Sequence, residues 1–245
     1  MKITTIVITL NEEGNIADCL KSISWVDEIV IVDAGSDDRT VEIAEGFTPL
    51  VFEPGWLGYV KAKEFAIEKS SNEWILWLDA DERITEQLRE EIQRRLADND
   101  RYSAYKIPRK SYFLGRWIKH CGWYPDYVIR LFKKDRGKFS TDSLVHESLQ
   151  IDGKIGKLIN SIEHFTFPTV KSYFAKFNNY TSLSAKEMRD RGKRFSILET
   201  FCHSFATFFK MYIQKRGFMD GFEGFILCTF STYYTFVKFL KVKYE

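Results

Sequence analysis

The sequence predicts an α/β fold: a mostly parallel, Rossmann-like sheet flanked by helices, with a C-terminal helical extension. Three observations carry this. Over the first hundred residues, short β-branched apolar runs alternate with segments of helical spacing. Between 102 and 159 the pattern shifts to short strands punctuated by Gly115, Gly122, Gly137 and Gly153. Beyond Pro168 aromatic residues recur at helical spacing, Tyr173, Phe177, Tyr180 and Ser184 on one face and Phe201, Phe205, Phe208 and Tyr212 on another.

In order, residues 3–10 form a buried strand, and 15–23 a helix spaced at Ile16, Leu20 and Ile23 with Asn15 as its cap. Residues 28–33 are the second strand, followed by a helix through Val41, Ile43 and Ala44 that Asp37 or Asp38 can cap. A short strand at 50–53, a helix at 59–70, a strand at 73–79 and a helix at 85–96 complete the alternation. Such alternation implies parallel strands covered on both faces. Strands are expected at 104–108, 127–133 and 154–159, and helices after 168. The domain division follows: 1–168 as the main domain, with 1–100 its ligand-binding half and 101–168 its second half, then 169–245 as an aromatic, basic extension.

Net charge is only +2, which argues against nucleic acid as the main partner. The charge is uneven: residues 169–245 hold 13 basic against 6 acidic side chains and 13 of the 21 Phe. Basic plus aromatic composition suits a segment meeting an anionic membrane surface, or helices packed on the main domain. Cys19, Cys121, Cys202 and Cys228 form no CxxC pair, so neither a zinc cluster nor a disulfide framework is expected. The opening MKITTIVITLNEE does not read as a signal peptide, and the run 218–240 is broken by Asp220, Glu223 and Lys238. The expectation is a cytoplasmic protein, peripheral at the inner face of the cytoplasmic membrane.

The chemistry concentrates at strand ends. In Trp77-Leu78-Asp79-Ala80-Asp81-Glu82 an apolar strand runs into two carboxylates around a small residue. Extended geometry would turn Asp79 and Asp81 to one side, at the strand end where open α/β sheets bind ligands. Two carboxylates there suit a hard cation, Mg²⁺ or Mn²⁺, that completes its shell with phosphate oxygens. The alternative is a pair of solvated turn acids, with Glu82 beginning a helix. The first strand ends in Thr9-Leu10-Asn11-Glu12-Glu13-Gly14-Asn15 without GxGxxG, which disfavours NAD or FAD enzymes. Asp33, closing the second strand, can accept from a base N–H or a ribose hydroxyl. Arg130 stands in an apolar strand, where its charge needs a donor phosphate or a buried carboxylate.

The segments ITTIVITLNEEGNIADCL, EIVIVDAGSDDRTVEIA and EWILWLDADERI, in that order, resemble the nucleotide-binding half of glycosyltransferase family 2. RKSYFLGRWIKHCGWYPDYVIRLFKK, LVHESL and KRGFMDGFEGF resemble its bacterial subgroup of lipopolysaccharide core β-glucosyltransferases. The resemblance implies a GT-A fold and an inverting transfer of a hexose, glucose first, from a UDP-sugar. The implied acceptor is a lipid-linked or lipopolysaccharide-core glycan. It places Thr9, Asn11, Glu12 and Asp33 at the nucleoside, Lys63 near the diphosphate, and Asp79 and Asp81 at the metal. The family's later acidic pair has no clear copy; His146-Glu147 takes its place, making Glu147 a candidate base and His146 a candidate metal ligand. Asp126 is the rival base, and His164 a further possible cation or phosphate ligand. A sugar nucleotidyltransferase would need a Gly- and basic-rich loop at 10–15, which is absent. A non-catalytic sugar-nucleotide-binding subunit is the other alternative.

Overall fold

The computed structural model describes residues 1–98, 101–140 and 148–245. They gather into two compact units, one drawn from 1–98, 101–109, 127–140 and 148–164, the other from 110–126 and 165–245. The second unit thus joins the helical extension to the segment 110–126.

The first unit begins as the alternation predicts: β1 (Ile3–Thr9), α1 (Ile16–Ser22), β2 (Glu28–Asp33), α2 (Thr40–Glu45), β3 (Val51–Phe52), α3 (Tyr59–Lys69) and β4 (Trp74–Asp79). Then come β5 (Glu82–Ile84), α4 (Glu86–Ala97) and β6 (Ala104–Phe113), whose last residues enter the second unit. β7 (Arg116–Trp117) pairs with that end of β6. β8 (Asp126–Lys133), β9 (Gly137–Ser140), β10 (Ser148–Ile151), β11 (Ile155–Lys157) and β12 (Ile162–Phe167) follow. The strand order is β3-β2-β1-β4-β8-β6-β12-β5. The run from β3 to β4 is parallel, as is the pairing of β11 with β6; β8 runs antiparallel to β4, and β12 to β5. β9 and β10 make a separate antiparallel pair.

Burial explains the parallel part. β1 reads as an unbroken apolar and β-branched run because both faces are covered. Ile3, Val7, Ile31, Leu76 and Leu78 pack with Ile16, Leu20 and Ile92, while Ile6, Val30 and Ile75 pack with Ala62 and Ala66. Asn15 occupies the cap position of α1 but makes no capping bond; its amide donates to Glu12 instead, at 2.7 Å. Asp38 does satisfy the start of α2, accepting from the Thr40 N–H at 2.9 Å. Thr85 caps α4 through the Leu88 N–H.

The second unit contains α5 (Val170–Asp190), α6 (Ile197–Phe208), a π-helical turn (Phe209–Gln214), a 3-10 turn (Gly217–Asp220) and α7 (Gly221–Tyr244). Phe113, Ile118, Tyr173, Phe177 and Leu227 form its core. Asp220 is buried and accepts from the N–H groups of Lys119 and His120, at 3.1 and 2.8 Å. Gly224 lets α7 pass the 3-10 turn: a Cβ there would lie 2.3 Å from the Gly217 carbonyl oxygen. Cys121 and Cys228, distant in sequence, meet as thiols with sulfurs 3.6 Å apart.

The structure decides which way one aromatic face points. The α6 stripe of Phe201 and Phe205 points outward, these side chains being 60% and 72% exposed. The helix buries Thr200 and Ser204 instead, the small residues that allow close packing on α7. Among the described residues no helix is long and apolar enough to cross a membrane.

Candidate active site

Three strand ends build the site. In the parallel register Thr9 lies opposite Asp33, and Ile8 opposite Asp79, so β2, β1 and β4 finish level. The chain winds outward from β1 through β2 to β3, then returns to add β4 on the other side. Such a reversal is the switch point where an open sheet leaves its binding crevice. Strands lie roughly 4.8 Å apart, so the backbones of Asp33 and Asp79, two strands apart, are separated by about 10 Å.

On the β2 side, two loops are sewn together. The N–H groups of Asn11, Glu12 and Glu13 donate to Ser36 Oγ, Thr40 Oγ1 and Asp38 Oδ2, at 2.8, 2.8 and 3.1 Å. Asn11, in the left-handed region at φ 54°, accepts the Asp37 N–H through Oδ1 at 2.9 Å. The Thr9 hydroxyl is buried and without a hydrogen-bond partner among the described residues. Asp33 has no exposed surface: it accepts from the N–H groups of Gly35 and Ser36 and from the Ser36 hydroxyl. A carboxylate expected at a base or ribose is enclosed in its own turn, and its observed work is to shape that turn.

On the β4 side, the charges are dense. Asp79 ends β4 with its side chain 40% exposed, the chain then turns at Ala80–Asp81, and β5 starts at Glu82. The motif is therefore bent, and the extended alternation expected for Asp79 and Asp81 does not hold. Glu82, which the alternative reading put at the start of a helix, is a strand residue with no exposed surface. It accepts from Arg130 at 2.7 Å and from the Asp79 N–H at 3.2 Å, with Arg109 3.7 Å away. Arg130 also pairs with Asp79, so of its two expected partners the structure supplies buried carboxylate. Asp81 is 6% exposed, its Oδ1 3.5 Å from His164 Nε2. Lys63 is buried too, and its Nζ and the Arg130 guanidinium lie 3.8 and 4.0 Å from the centre of the Trp77 ring.

Partial removal from water and the neighbouring Asp81 would raise the Asp79 carboxyl, but the charges of Arg130 and Lys63 outweigh them and hold it below the usual carboxylate range. Burial likewise pushes Glu82 up, and with Asp79 alongside it stays raised despite Arg130. The buried Cys19 thiol, whose sulfur lies 3.7 Å from the Asp79 carbonyl oxygen, is pushed far up by burial and stays protonated.

Among the described residues no three His, Cys, Asp or Glu side chains converge as a metal site. Two carboxylates at a crevice do not make a closed zinc site. They fit Mg²⁺ or Mn²⁺, which take one or two carboxylates and leave the other positions to phosphate and water. Asp126 opens β8 and belongs to the second unit. His146 and Glu147 lie outside the described residues. Glu82 and Arg109 were not singled out in the sequence; the signal for Glu82 was a third acid following the pair without a turn residue between.

A switch-point sheet with a carboxylate pair set among buried cations is the arrangement of a GT-A glycosyltransferase. Residues 4–148 match the model of Glycosyl transferase family 2, and the chain belongs to that family. It is 33% identical over 252 residues to an uncharacterized glycosyltransferase of Rickettsia typhi, covering 98% of this chain and 85% of that one. It is 29% identical over 254 residues to the lipopolysaccharide core biosynthesis glycosyltransferase LpsC of Rhizobium meliloti, covering 99% and 92%. Among solved structures, S. aureus TarS 1–349 in complex with UDP-GlcNAc aligns with a TM-score of 0.50 at 17% identity, covering 76% of this chain and 65% of that one. That likeness carries the fold alone. The protein is a glycosyltransferase, which sets aside the nucleotidyltransferase and non-catalytic readings.

Proposed function

We propose that this glycosyltransferase moves a hexose, glucose first, from a UDP-sugar to a cell-envelope glycan such as the lipopolysaccharide inner core, with inversion. The carrying observation is the Asp79–Asp81 pair at the switch point, with Arg130 and Lys63 beside it. Likeness to LpsC supports the acceptor class. Asp79 and Asp81 would hold Mg²⁺ or Mn²⁺, which when bound neutralises charge on the departing diphosphate. Lys63, withdrawn from water over Trp77, adds positive charge where screening is weak. Thr9 offers an unspent hydroxyl toward the nucleoside, and Asn11 and Glu12 stand on the loop beside it. Direct displacement inverts the anomeric carbon and needs a base in reach of the acceptor hydroxyl; Glu147 is assigned this part, ahead of Asp126 and His146.

A thermal-shift screen of UDP-, GDP- and dTDP-sugars, with and without Mn²⁺, tests the donor. Stabilisation by UDP-glucose that needs Mn²⁺ is expected, about 2.7 kcal/mol at a hundredfold excess over Kd. Metal-independent shifts, or a response only to GDP-sugars, would count against the reading.

The proposed location is the cytoplasmic membrane's inner face, reached peripherally. Support comes from the outward α6 face of Leu198, Phe201 and Phe205 and from the basic excess of 169–245. Replacing Phe201 and Phe205 with Glu should abolish sedimentation with anionic liposomes at unchanged thermal midpoint, since both are exposed. Undiminished sedimentation would refute this face as the contact.

A further inference from the structure

The second unit contains a cavity of about 300 Å³, remote in kind from the charged donor site. That volume is at the low end for small-molecule sites. Its cause is a mismatch between two helices. α5 presents Tyr173, Phe177 and Tyr180, spaced i, i+4, i+7, as one aromatic wall. The facing stripe of α7 carries Leu227, Ser231, Thr235 and Lys238, so small hydroxyl residues stand where large side chains would fill the gap.

The walls hold themselves in place. Tyr234 bonds to the Ser184 hydroxyl at 2.8 Å and donates to the Tyr180 carbonyl oxygen at 3.1 Å. Thr207, the last hydroxyl of α6 before the π-helical turn, meets Thr235 at 3.3 Å.

Lys238 gives the cavity its polarity. Among the described residues lining it, none bears a carboxylate. Nor does any described carboxylate pair with Lys238; its near neighbours are the rings of Tyr234 and Phe239, at 6.0 and 5.8 Å. Burial pulls the ammonium's pKa below its ordinary value, the mark of a cation with its hydration reduced and no anion to replace it. Aromatic walls, a few hydroxyls and an uncompensated ammonium together recognise an apolar chain that ends in an anion.

We propose that this cavity binds a single-chain anionic amphiphile, its alkyl chain against the α5 aromatics and its phosphate or carboxylate head at Lys238. The proposal does not depend on the donor chemistry.

The probe is dodecyl phosphate, below its micelle threshold, titrated into the full chain by calorimetry, with dodecyl maltoside and inorganic phosphate as controls. One site per chain is expected, with dodecyl maltoside weaker and inorganic phosphate alone silent. Lys238→Gln should weaken dodecyl phosphate about tenfold, roughly one charge-assisted hydrogen bond, and leave dodecyl maltoside unchanged. Ser231→Phe should fill the cavity and abolish both. Phe201→Glu with Phe205→Glu, which alters the outward face, should bind as the parent does. Saturation by inorganic phosphate alone, the absence of dodecyl phosphate binding, or loss in the Phe201/Phe205 variant would overturn the proposal. So would equal affinity in Lys238→Gln, a test that stands even if Ser231→Phe fails to fold.

Discussion

Arg130→Met is expected to destabilise the protein by about 3–5 kcal/mol, the usual cost of removing one partner from a buried ion pair. The side chain it removes is 3% exposed and lies between Asp79 and Glu82, the latter with no exposed surface. Methionine fills comparable space, so the loss is electrostatic: Glu82 would keep Arg109 only at 3.7 Å and would have to take up a proton or admit water. For a chain of this size the thermal midpoint should fall by about 10 °C. Adding Glu82→Gln should recover part of that loss, because the second change removes the carboxyl left without its partner. Arg130→Lys should sit in between, keeping a charge but not the fork that reaches two carboxylates. A thermal midpoint for Arg130→Met within 1–2 °C of the parent's would show that the pair contributes little net stability.

The second large effect is on turnover. Asp81→Asn is expected to lower kcat by about a thousandfold, the scale of losing one principal electrostatic element at a developing charge. It should also remove the Mn²⁺-dependent part of donor stabilisation. The substitution keeps size and hydrogen-bonding capacity beside His164, so the thermal midpoint without ligand should hardly move. Asp79→Asn differs in kind: it removes a partner of Arg130 as well as a carboxylate, and should cost stability and activity together. The contrast separates holding a cation from holding the site. Unchanged metal-dependent turnover in Asp81→Asn would dispose of the metal assignment.

The parallel half of the sheet was legible because burial on both faces writes itself as unbroken apolar runs, as in β1 and β2. Carboxylates at the ends of those runs could be placed at the switch point with no further information. What periodicity could not convey was side-chain company. Arg130 demanded an anion, but only the antiparallel pairing of β8 with β4 shows that Asp79 and Glu82 supply it. The turn at Ala80–Asp81 stood only as the alternative to an extended pair, because the segment has neither Gly nor Pro to mark it. On α6 the spacing showed that Phe201 and Phe205 share a face but not which way it points: a stripe of aromatics and a stripe of Thr200 and Ser204 share one period, and packing on α7 chose the small one. The meeting of Cys121 with Cys228 depends on tertiary structure alone.

The sewing of the two loops over β1 and β2 has a further bearing on how this protein meets phosphate. In glycine-rich nucleotide folds, free main-chain nitrogens after the first strand form the anion cradle. Here the nitrogens of Asn11, Glu12 and Glu13 are already committed to Ser36, Thr40 and Asp38. Those nitrogens are not free to answer the negative charge of a sugar nucleotide, which on the proposed reading falls to whole cations on side chains. A backbone cradle tolerates exchange of its side chains; a cradle of lysine and carboxylate-held metal does not. Affinity for the diphosphate should then vary with ionic strength and with single charge changes at Lys63, Asp79 and Asp81.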